Sequence, residues 1–127
     1  MAEQTYPAPP VTPESAAFYA AAKEGRFLIG RCSDTGRFFW YPRAVSPFTF
    51  GATTLEEASG RGVIYSYSVM RRASPPSSIA YVTLEEGPTM MTSLVDCDFD
   101  ALHVGQAVRL VWRPTEGGPP VPCFTPA

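Results

Sequence analysis

The sequence has little of the residues that carry most enzyme chemistry. Its 127 residues include one histidine, His103, and three cysteines, Cys32, Cys97 and Cys123. An odd number of cysteines does not indicate a disulfide framework, and no motif pairs a cysteine with the histidine. The Gly-x-Ser-x-Gly, glycine-rich phosphate-loop and His-Glu-x-x-His patterns are also absent. We therefore expect no catalysis by this chain alone.

Long apolar segments are missing as well. The longest apolar runs, such as Ala16–Ala22, are much shorter than the ~20 residues that cross a bilayer. Residues 1–4 have neither the basic region nor the apolar stretch of a signal peptide. We therefore expect a cytoplasmic protein with reduced thiols and no membrane contact.

Lysine is nearly absent, whereas arginine is concentrated in one part of the chain. Nine of the ten basic residues are arginine, and the net charge of −2 argues against a general nucleic-acid binder. Residues 20–72 hold eight basic and four acidic side chains, a net charge of +4, and the remainder carries −6. Arginine forms bidentate contacts with phosphates and carboxylates. An ordinary solvated face and a binding face both remain open interpretations of this excess.

Proline and glycine, by contrast, are abundant. Their sum, 14 plus 10, is 24 of 127 residues, which interrupts the chain too often for a helical bundle and favours short strands. Residues 1–11 are expected to form an extended arm. One helix is predicted over Glu14–Glu24, with Thr12 as its cap and Gly25 as its end. It either covers the core of its own domain or docks on a partner.

The remaining segments predict a ribbon-like unit followed by a barrel. Strands at Arg26–Arg31 and Arg37–Tyr41 form a hairpin-like unit rich in aromatic residues. Five strands between residues 62 and 124, with one helical turn at Asp96–Leu102, fit a partly open OB barrel, and a small sandwich is the alternative. The strands are predicted at Val63–Met70, Ile79–Leu84, Thr89–Val95, Ala107–Trp112 and Val121–Phe124. Alternation along the first of them places Tyr65 and Tyr67 on one face.

The ribbon-like unit contains the outline of two zinc knuckles. Cys32-x-x-Thr35 and Ser46-x-x-Thr49 have the ligand spacing of a zinc ribbon. Three of the four positions are neutral hydroxyls, which zinc does not take as its protein ligands. We therefore predict that zinc is absent and that aromatic packing replaces it as the stabilising element.

The order of these motifs resembles one known family. The helix is followed by Cys-x-x-Thr-Gly, Tyr41-Pro-Arg43, Ser-Pro-x-Thr, Ser-Gly-Arg-Gly62 with Val-Ile-Tyr-Ser66, Glu85-Glu-Gly-Pro88, Val104-Gly-Gln-Ala-Val108 and a final Phe-x-Pro. Residues 13–126 are thereby similar to the OB-fold acyl-CoA-associated proteins of domain-of-unknown-function family 35. The resemblance implies a mainly β protein with an arm and helix at 1–25, a degenerate zinc-ribbon-like unit at 26–55 and a five-stranded OB-fold domain at 56–127.

The resemblance also implies a function. Members are similar to small non-catalytic subunits of thiolase-like proteins, in hetero-oligomers that cleave or form carbon–carbon bonds in acyl-CoA thioesters, including steroid side chains, or transfer acyl groups. In such a subunit, acyl-CoA is an expected ligand and no cofactor is expected. The candidate contacts to CoA phosphates or to the partner are Arg43, Arg61, Arg71 and Arg72, and the candidate aromatic interface is Phe39, Trp40 and Tyr41.

Simpler interpretations remain open at this point. The four arginines can pair with Glu56, Glu57 or acids of the partner, and the three aromatic residues can belong to the core. The alternative function is a single-stranded nucleic-acid-binding OB module, in which Tyr65 and Tyr67 would stack on bases beside Arg71 and Arg72. A free-standing acyl-CoA enzyme is the third class.

Overall fold

The computed structural model describes residues 5–127 and confirms the mainly β architecture. Within these residues the chain forms two sheets, one with the order β2-β1-β3 and one with the order β6-β5-β4-β7-β8. Residues 1–4 of the predicted arm lie outside the described part, and Pro7 forms a bridge to Glu116. The elements are α1 (Ala16–Ala22), β1 (Leu28–Cys32), β2 (Phe38–Phe39), β3 (Thr53–Glu57), β4 (Arg61–Met70), β5 (Ser77–Leu84), β6 (Thr89–Thr92), a 3₁₀ turn (Phe99–Ala101), β7 (Ala107–Arg113) and β8 (Val121–Pro126).

The helix is shorter than predicted and packs on its own domain. It begins at Ala16 because the preceding residues form a separate turn, in which the Thr12 amide donates to Ser15 Oγ (2.9 Å) and the Ser15 amide donates to Thr12 Oγ1 (3.3 Å). Gly25 has φ +76°, the left-handed conformation that commonly ends a helix. Phe18 is completely buried, so the helix covers the core of its own domain.

The ribbon unit has a third strand that the sequence analysis missed. β1 pairs with β2 on one side and with β3 on the other. The β3 sequence, Thr-Thr-Leu-Glu-Glu, lacks an apolar face because its side chains are partly exposed at a sheet edge. Two ion pairs join β3 to the segment around β1: Arg31 to Glu56 (3.2 Å) and Arg26 to Glu57 (3.1 Å). The predicted boundary between residues 55 and 56 falls inside this strand.

The second sheet is the predicted OB barrel rather than the sandwich. All five predicted strands are present, with β4 at the centre of a curled antiparallel sheet. A parallel bridge between Leu94 and Phe124 brings the segment after β6 against β8. Ser78 Oγ donates to the Leu94 carbonyl (2.9 Å) and accepts from the Leu94 amide (3.0 Å), both in the buried interior. These contacts close the barrel on the side where no continuous strand pairing exists.

A β-bulge in β4 corrects one prediction. Ile64 pairs with Val82 and Ser66 pairs with Tyr81, so Tyr65 is the extra residue of β4. A bulge inverts the alternation of the side chains that follow it. Tyr65 therefore faces solvent and is 67% exposed, whereas Tyr67 packs against the core and donates to the Leu102 carbonyl (2.8 Å). The prediction that the two tyrosines share one face was wrong.

The helix, the ribbon unit and the barrel share one core. The ring of Phe18 lies 5.2 Å from Trp40 and 6.2 Å from Trp112, measured between ring centroids. Phe27 completes this aromatic cluster, at 5.9 Å from Trp40 and 6.1 Å from Trp112. Among residues 5–127, no helix is long and apolar enough to cross a membrane.

Candidate functional site

A cleft of about 500 Å³ lies between the ribbon unit and the β5–β6 turn. The ribbon side is built by β2 and by the two loops that flank it, and the barrel side by residues 86–89. Gly87, with φ +118°, lets the barrel turn reverse tightly. The cleft is lined by Gly36, Arg37, Phe38, Phe39, Trp40, Arg43, Pro47, Phe48, Glu86, Gly87, Pro88 and Thr89.

Opposite charges face each other across this cleft. On the ribbon side, the Arg37 guanidinium lies 3.8 Å above the centre of the Phe48 ring, and Arg43 is exposed beside it. On the barrel side, Glu86 Oε2 accepts the amide of Ser59 (2.8 Å). The other oxygen, Glu86 Oε1, is buried and has no hydrogen-bond partner among residues 5–127. The ribbon wall is therefore suited to an anionic group, and the barrel wall to a hydrogen-bond donor.

Of the four predicted arginines, two form ion pairs and one lines the cleft. Arg61 forms an ion pair with Glu85 (2.9 Å), which raises the pKa of the guanidinium and lowers that of the carboxyl. Arg71 pairs with Asp100 (2.7 Å). Only Arg43 lines the cleft. The acidic partners of Arg61 and Arg71 are therefore Glu85 and Asp100, not the glutamates of β3. Glu56 and Glu57 pair with Arg31 and Arg26 instead. A contact of the four with CoA or a partner stays a prediction.

The predicted aromatic interface differs in exposure from residue to residue. Phe39 is 4% exposed, and its ring covers Gly30 so closely that a Cβ atom there would lie 2.3 Å from the ring. Trp40 is half-buried against Phe18, and Tyr41 is 37% exposed and donates to the Tyr19 hydroxyl (3.0 Å). In the isolated chain, only Tyr41 of the three offers substantial surface to a partner.

The sequence analysis missed an exposed apolar face of the barrel. Tyr81 is directly opposite Met91 across β5 and β6, and the two side chains are 48% and 56% exposed. Tyr65 and Ile79 extend the same outer face and are 67% and 40% exposed. Contiguous exposed apolar surface of this kind is typical of interaction sites. The sequence did contain a signal for this exposed face. In β5, Ile79 and Tyr81 alternate with Ala80 and Val82, so both faces of the strand are apolar.

The two knuckles lie beside each other in space. Cys32 and Ser46 are completely buried, and Cys32 Sγ lies 3.6 Å from Thr49 Oγ1. Hydrogen bonds from the hydroxyls of Ser46 and then Thr35 lower the pKa of the Cys32 thiol to about 6. Within residues 5–127, no group of three or more His, Cys, Asp or Glu side chains is placed to hold a metal ion. The single thiol and three hydroxyls do not fit zinc, which takes thiolate, imidazole or carboxylate ligands.

The remaining nucleophilic groups lie apart from the cleft. Burial raises the pKa of the Cys97 thiol, and burial also raises that of Cys123, so both favour the protonated, unreactive form. His103 is exposed, and its backbone amide donates to the side chain of Gln106 (3.1 Å).

Family models match two parts of the chain. Residues 55–113 match the model described as the C-terminal OB-fold domain of ChsH2. Residues 20–45 match the model described as the rubredoxin-like zinc ribbon domain of ChsH2. The ribbon match thus covers Cys32 and Thr35 but ends one residue before Ser46.

Individual proteins are similar to larger parts of the chain. A DUF35 domain-containing scaffold protein of Methanothermobacter thermautotrophicus is 35% identical over 91 residues, which are 65% of this chain and 68% of that protein. A probable enoyl-CoA hydratase alpha subunit of Thermomonospora curvata is 31% identical over 128 aligned positions, which are 95% of this chain but 40% of that protein. A chain of the structure titled Ltp2-ChsH2(DUF35) aldolase superposes with a TM-score of 0.81 at 29% identity, over 93% of this chain and 98% of the other.

Proposed function

This chain belongs to the DUF35 family, and on that premise we propose that it is a non-catalytic accessory subunit of a thiolase-like enzyme acting on acyl-CoA thioesters. One observation carries the proposal: the fold match to a chain of an Ltp2-ChsH2(DUF35) aldolase extends over nearly the full length of both chains. The scaffold naming of the archaeal relative supports the same role. The reaction of the complex is then a carbon–carbon cleavage or an acyl transfer.

The geometry supports a place for this subunit at the CoA entrance of the partner. The cleft opens between the ribbon unit and the barrel, and Arg43 stands at its ribbon wall. CoA carries phosphate groups, which guanidinium groups bind well. Of the four arginines predicted to contact CoA or the partner, Arg43 is the one that we assign to the phosphates, because Arg61 and Arg71 already face carboxylates.

The first experiment tests assembly. The full chain is co-expressed with any thiolase-like protein encoded beside it, with a tag on only one of the two chains, and the product is analysed by native mass spectrometry. We expect a stable complex of both chains. Failure of the chain to co-purify with every such neighbour would contradict the proposal, and so would turnover of an acyl-CoA by the purified chain alone.

Substitutions on the outer face locate the contact. Tyr81→Glu places a charge at the centre of the exposed apolar face formed with Met91 and Tyr65, whereas Lys23→Glu is a charge change at the exposed C-terminal end of the helix. Loss of co-purification with Tyr81→Glu alone would identify the outer face as the interface. If both variants still co-purify with the partner, the interface would instead lie on the ribbon side, at Tyr41.

The second experiment tests the CoA contact in the assembled complex. The substrates used in this assay are ketoacyl-CoA thioesters, including those with steroid side chains. We expect Arg43→Ala to raise KM roughly tenfold with little change in kcat, because one charged hydrogen-bonding contact is lost in both the ground state and the transition state. Arg109→Ala, at an exposed arginine of β7 outside the predicted set, is the matched control and should leave KM unchanged. Equal effects of both substitutions would contradict the assignment of Arg43.

A shift of labelled oligo-dT at low salt, lost as salt is raised, would instead support the nucleic-acid alternative. The structure weakens that alternative because the bulge turns Tyr67 into the core and leaves it unable to stack on bases.

A further inference from the structure

The two knuckles of the ribbon unit have the same backbone conformation, although neither carries a full set of metal ligands. In the first, the Gly36 amide donates to the Cys32 carbonyl (2.8 Å), and the Cys32 amide donates to the Arg37 carbonyl (2.8 Å). The second repeats this pattern: the Phe50 amide donates to the Ser46 carbonyl (3.0 Å), and the Ser46 amide to the Gly51 carbonyl (2.9 Å). The residue after each second ligand position has a positive φ in both cases, +75° at Gly36 and +62° at Phe50.

The hydroxyl side chains of the knuckles are already engaged by backbone amides. Ser46 Oγ accepts from the amides of Phe48 (3.0 Å) and Thr49 (3.3 Å). Thr49 Oγ1 accepts from the Gly51 amide (3.1 Å) and donates to Asp34 Oδ2 (2.7 Å). These bonds tie the second knuckle to itself and, through Asp34, to the first.

The first knuckle repeats one of these contacts. Thr35 Oγ1 accepts from the Arg37 amide (3.2 Å), the counterpart of the bond from the Gly51 amide to Thr49. The Arg37 guanidinium then reaches across to the Phe48 ring of the second knuckle. Phe39 packs edge-on against the same ring, at 6.3 Å between centroids. Hydrogen bonds and aromatic packing therefore connect the two knuckles, as a bound metal ion does in a zinc ribbon.

The spacing across the knuckles is that of a zinc site. Four sulfurs at about 2.3 Å from a tetrahedral zinc ion lie about 3.8 Å from one another. Cys32 Sγ and Thr49 Oγ1, which belong to different knuckles, are 3.6 Å apart. This pair of positions thus has the spacing of two zinc ligands, although only one of the two is a thiol.

We propose that the ribbon unit of this protein is stable without metal, because a network of hydroxyl hydrogen bonds joins its knuckles, and that the knuckles keep a geometry from which three hydroxyl-to-thiol substitutions restore a zinc site. This inference departs from the zinc ribbon description of the matching family model and does not rest on the proposed role as a subunit.

The first test measures metal in the natural protein. The chain is produced in zinc-supplemented medium, purified without chelators and assayed for zinc by plasma mass spectrometry. We expect far less than one zinc per chain, and a Tm that excess EDTA leaves unchanged within about 1 °C. One zinc per chain, or a clear fall in Tm with EDTA, would overturn the proposal.

The second test restores the thiols. We expect the variant Thr35→Cys/Ser46→Cys/Thr49→Cys to bind one equivalent of Co²⁺ with the absorption of tetrahedral thiolate coordination, and its Tm to become sensitive to EDTA. The control variant Thr54→Cys/Ser68→Cys/Thr89→Cys adds three thiols on exposed positions of separate strands and should show no such absorption. If the knuckle variant folds only when Co²⁺ is present, that metal-dependent folding also supports the retained geometry. A variant that folds but lacks tetrahedral absorption, or does not fold even with Co²⁺, contradicts it.

The third test weakens the hydroxyl network in the natural protein. Ser46→Ala removes the acceptor of two amides at a completely buried position, and we expect Tm to fall by roughly 5 °C. Ser68→Ala, at an exposed position of β4, is the matched control and should leave Tm within about 1 °C. An unchanged Tm for Ser46→Ala would show that the hydroxyl network does not hold the knuckles.

Discussion

Replacement of Phe18 by alanine removes the side chain at which the helix, the ribbon unit and the barrel meet. Phe18 has no exposed surface. Its ring makes edge-to-face contacts with Tyr19 at 4.9 Å and with Trp40 at 5.2 Å, and a tilted contact with Trp112 at 6.2 Å. We expect the substitution to destabilise all three parts together.

The magnitude follows from burial and from these ring contacts. A buried Phe→Ala substitution costs about 3–5 kcal/mol, and each well-oriented aromatic pair contributes about 0.5–1.5 kcal/mol beyond its buried area. Because Phe18 has two close edge-to-face partners, we expect a loss of about 4 kcal/mol in the free energy of unfolding. For a domain of this length, that loss lowers Tm by roughly 15 °C.

Urea unfolding followed by tryptophan fluorescence measures this effect, since the only two tryptophans, Trp40 and Trp112, both touch the Phe18 ring. Phe50→Ala is the matched control, because Phe50 is 82% exposed and its loss should change stability by less than about 0.5 kcal/mol. A loss below about 1.5 kcal/mol for Phe18→Ala, with unchanged fluorescence, would show that the helix is not part of the shared core.

Four further substitutions test the barrel. Ser78→Ala should cost about 2–3 kcal/mol in urea unfolding, because it leaves the buried amide and carbonyl of Leu94 without their partner. Tyr67→Phe should cost about 1 kcal/mol through its lost carbonyl bond, whereas Tyr65→Phe should cost nothing measurable; equal values would contradict the bulge. Gly62→Ala should lower Tm clearly, because the new Cβ would lie 2.6 Å from a backbone carbonyl oxygen of β5 that has little freedom to move; an unchanged Tm would contradict that close approach.

The barrel could be predicted from the sequence because its strands carry strong local signals. Segments such as Ala107–Trp112 and Ile79–Leu84 are rich in β-forming residues and are bounded by clusters of proline, glycine and serine. The order of such segments, with one helical interruption, restricts the topology to few alternatives. Strand β3 could not be found in this way, since its polar residues are stabilised by ion pairs with residues more than twenty positions earlier.

The candidate site was only partly predictable from the sequence, because much of it depends on tertiary structure. Spacing could indicate each knuckle by itself, because a knuckle is a local turn, whereas the contact of Cys32 with Thr49 between the two knuckles is tertiary. Exposure of a side chain depends on pairing between strands, which local patterns do not determine. One extra residue at Tyr65 reversed the orientation of Tyr67, and the acidic partners of Arg61 and Arg71 lie in distant turns.

The shared core also explains how a ribbon unit of this kind can fold without a metal. An isolated unit of about thirty residues cannot bury enough apolar surface to fold alone, so an independent zinc finger depends on its metal. Here, Phe27 and Trp40 of the ribbon unit pack against Phe18 of the helix and Trp112 of the barrel. The folding of the ribbon is thereby coupled to a much larger core. Only the local geometry of the two knuckles remains to be stabilised. By the inference above, hydrogen bonds to hydroxyl groups serve that smaller task, so chelation should leave the stability of this protein unchanged whereas Phe18→Ala should lower it.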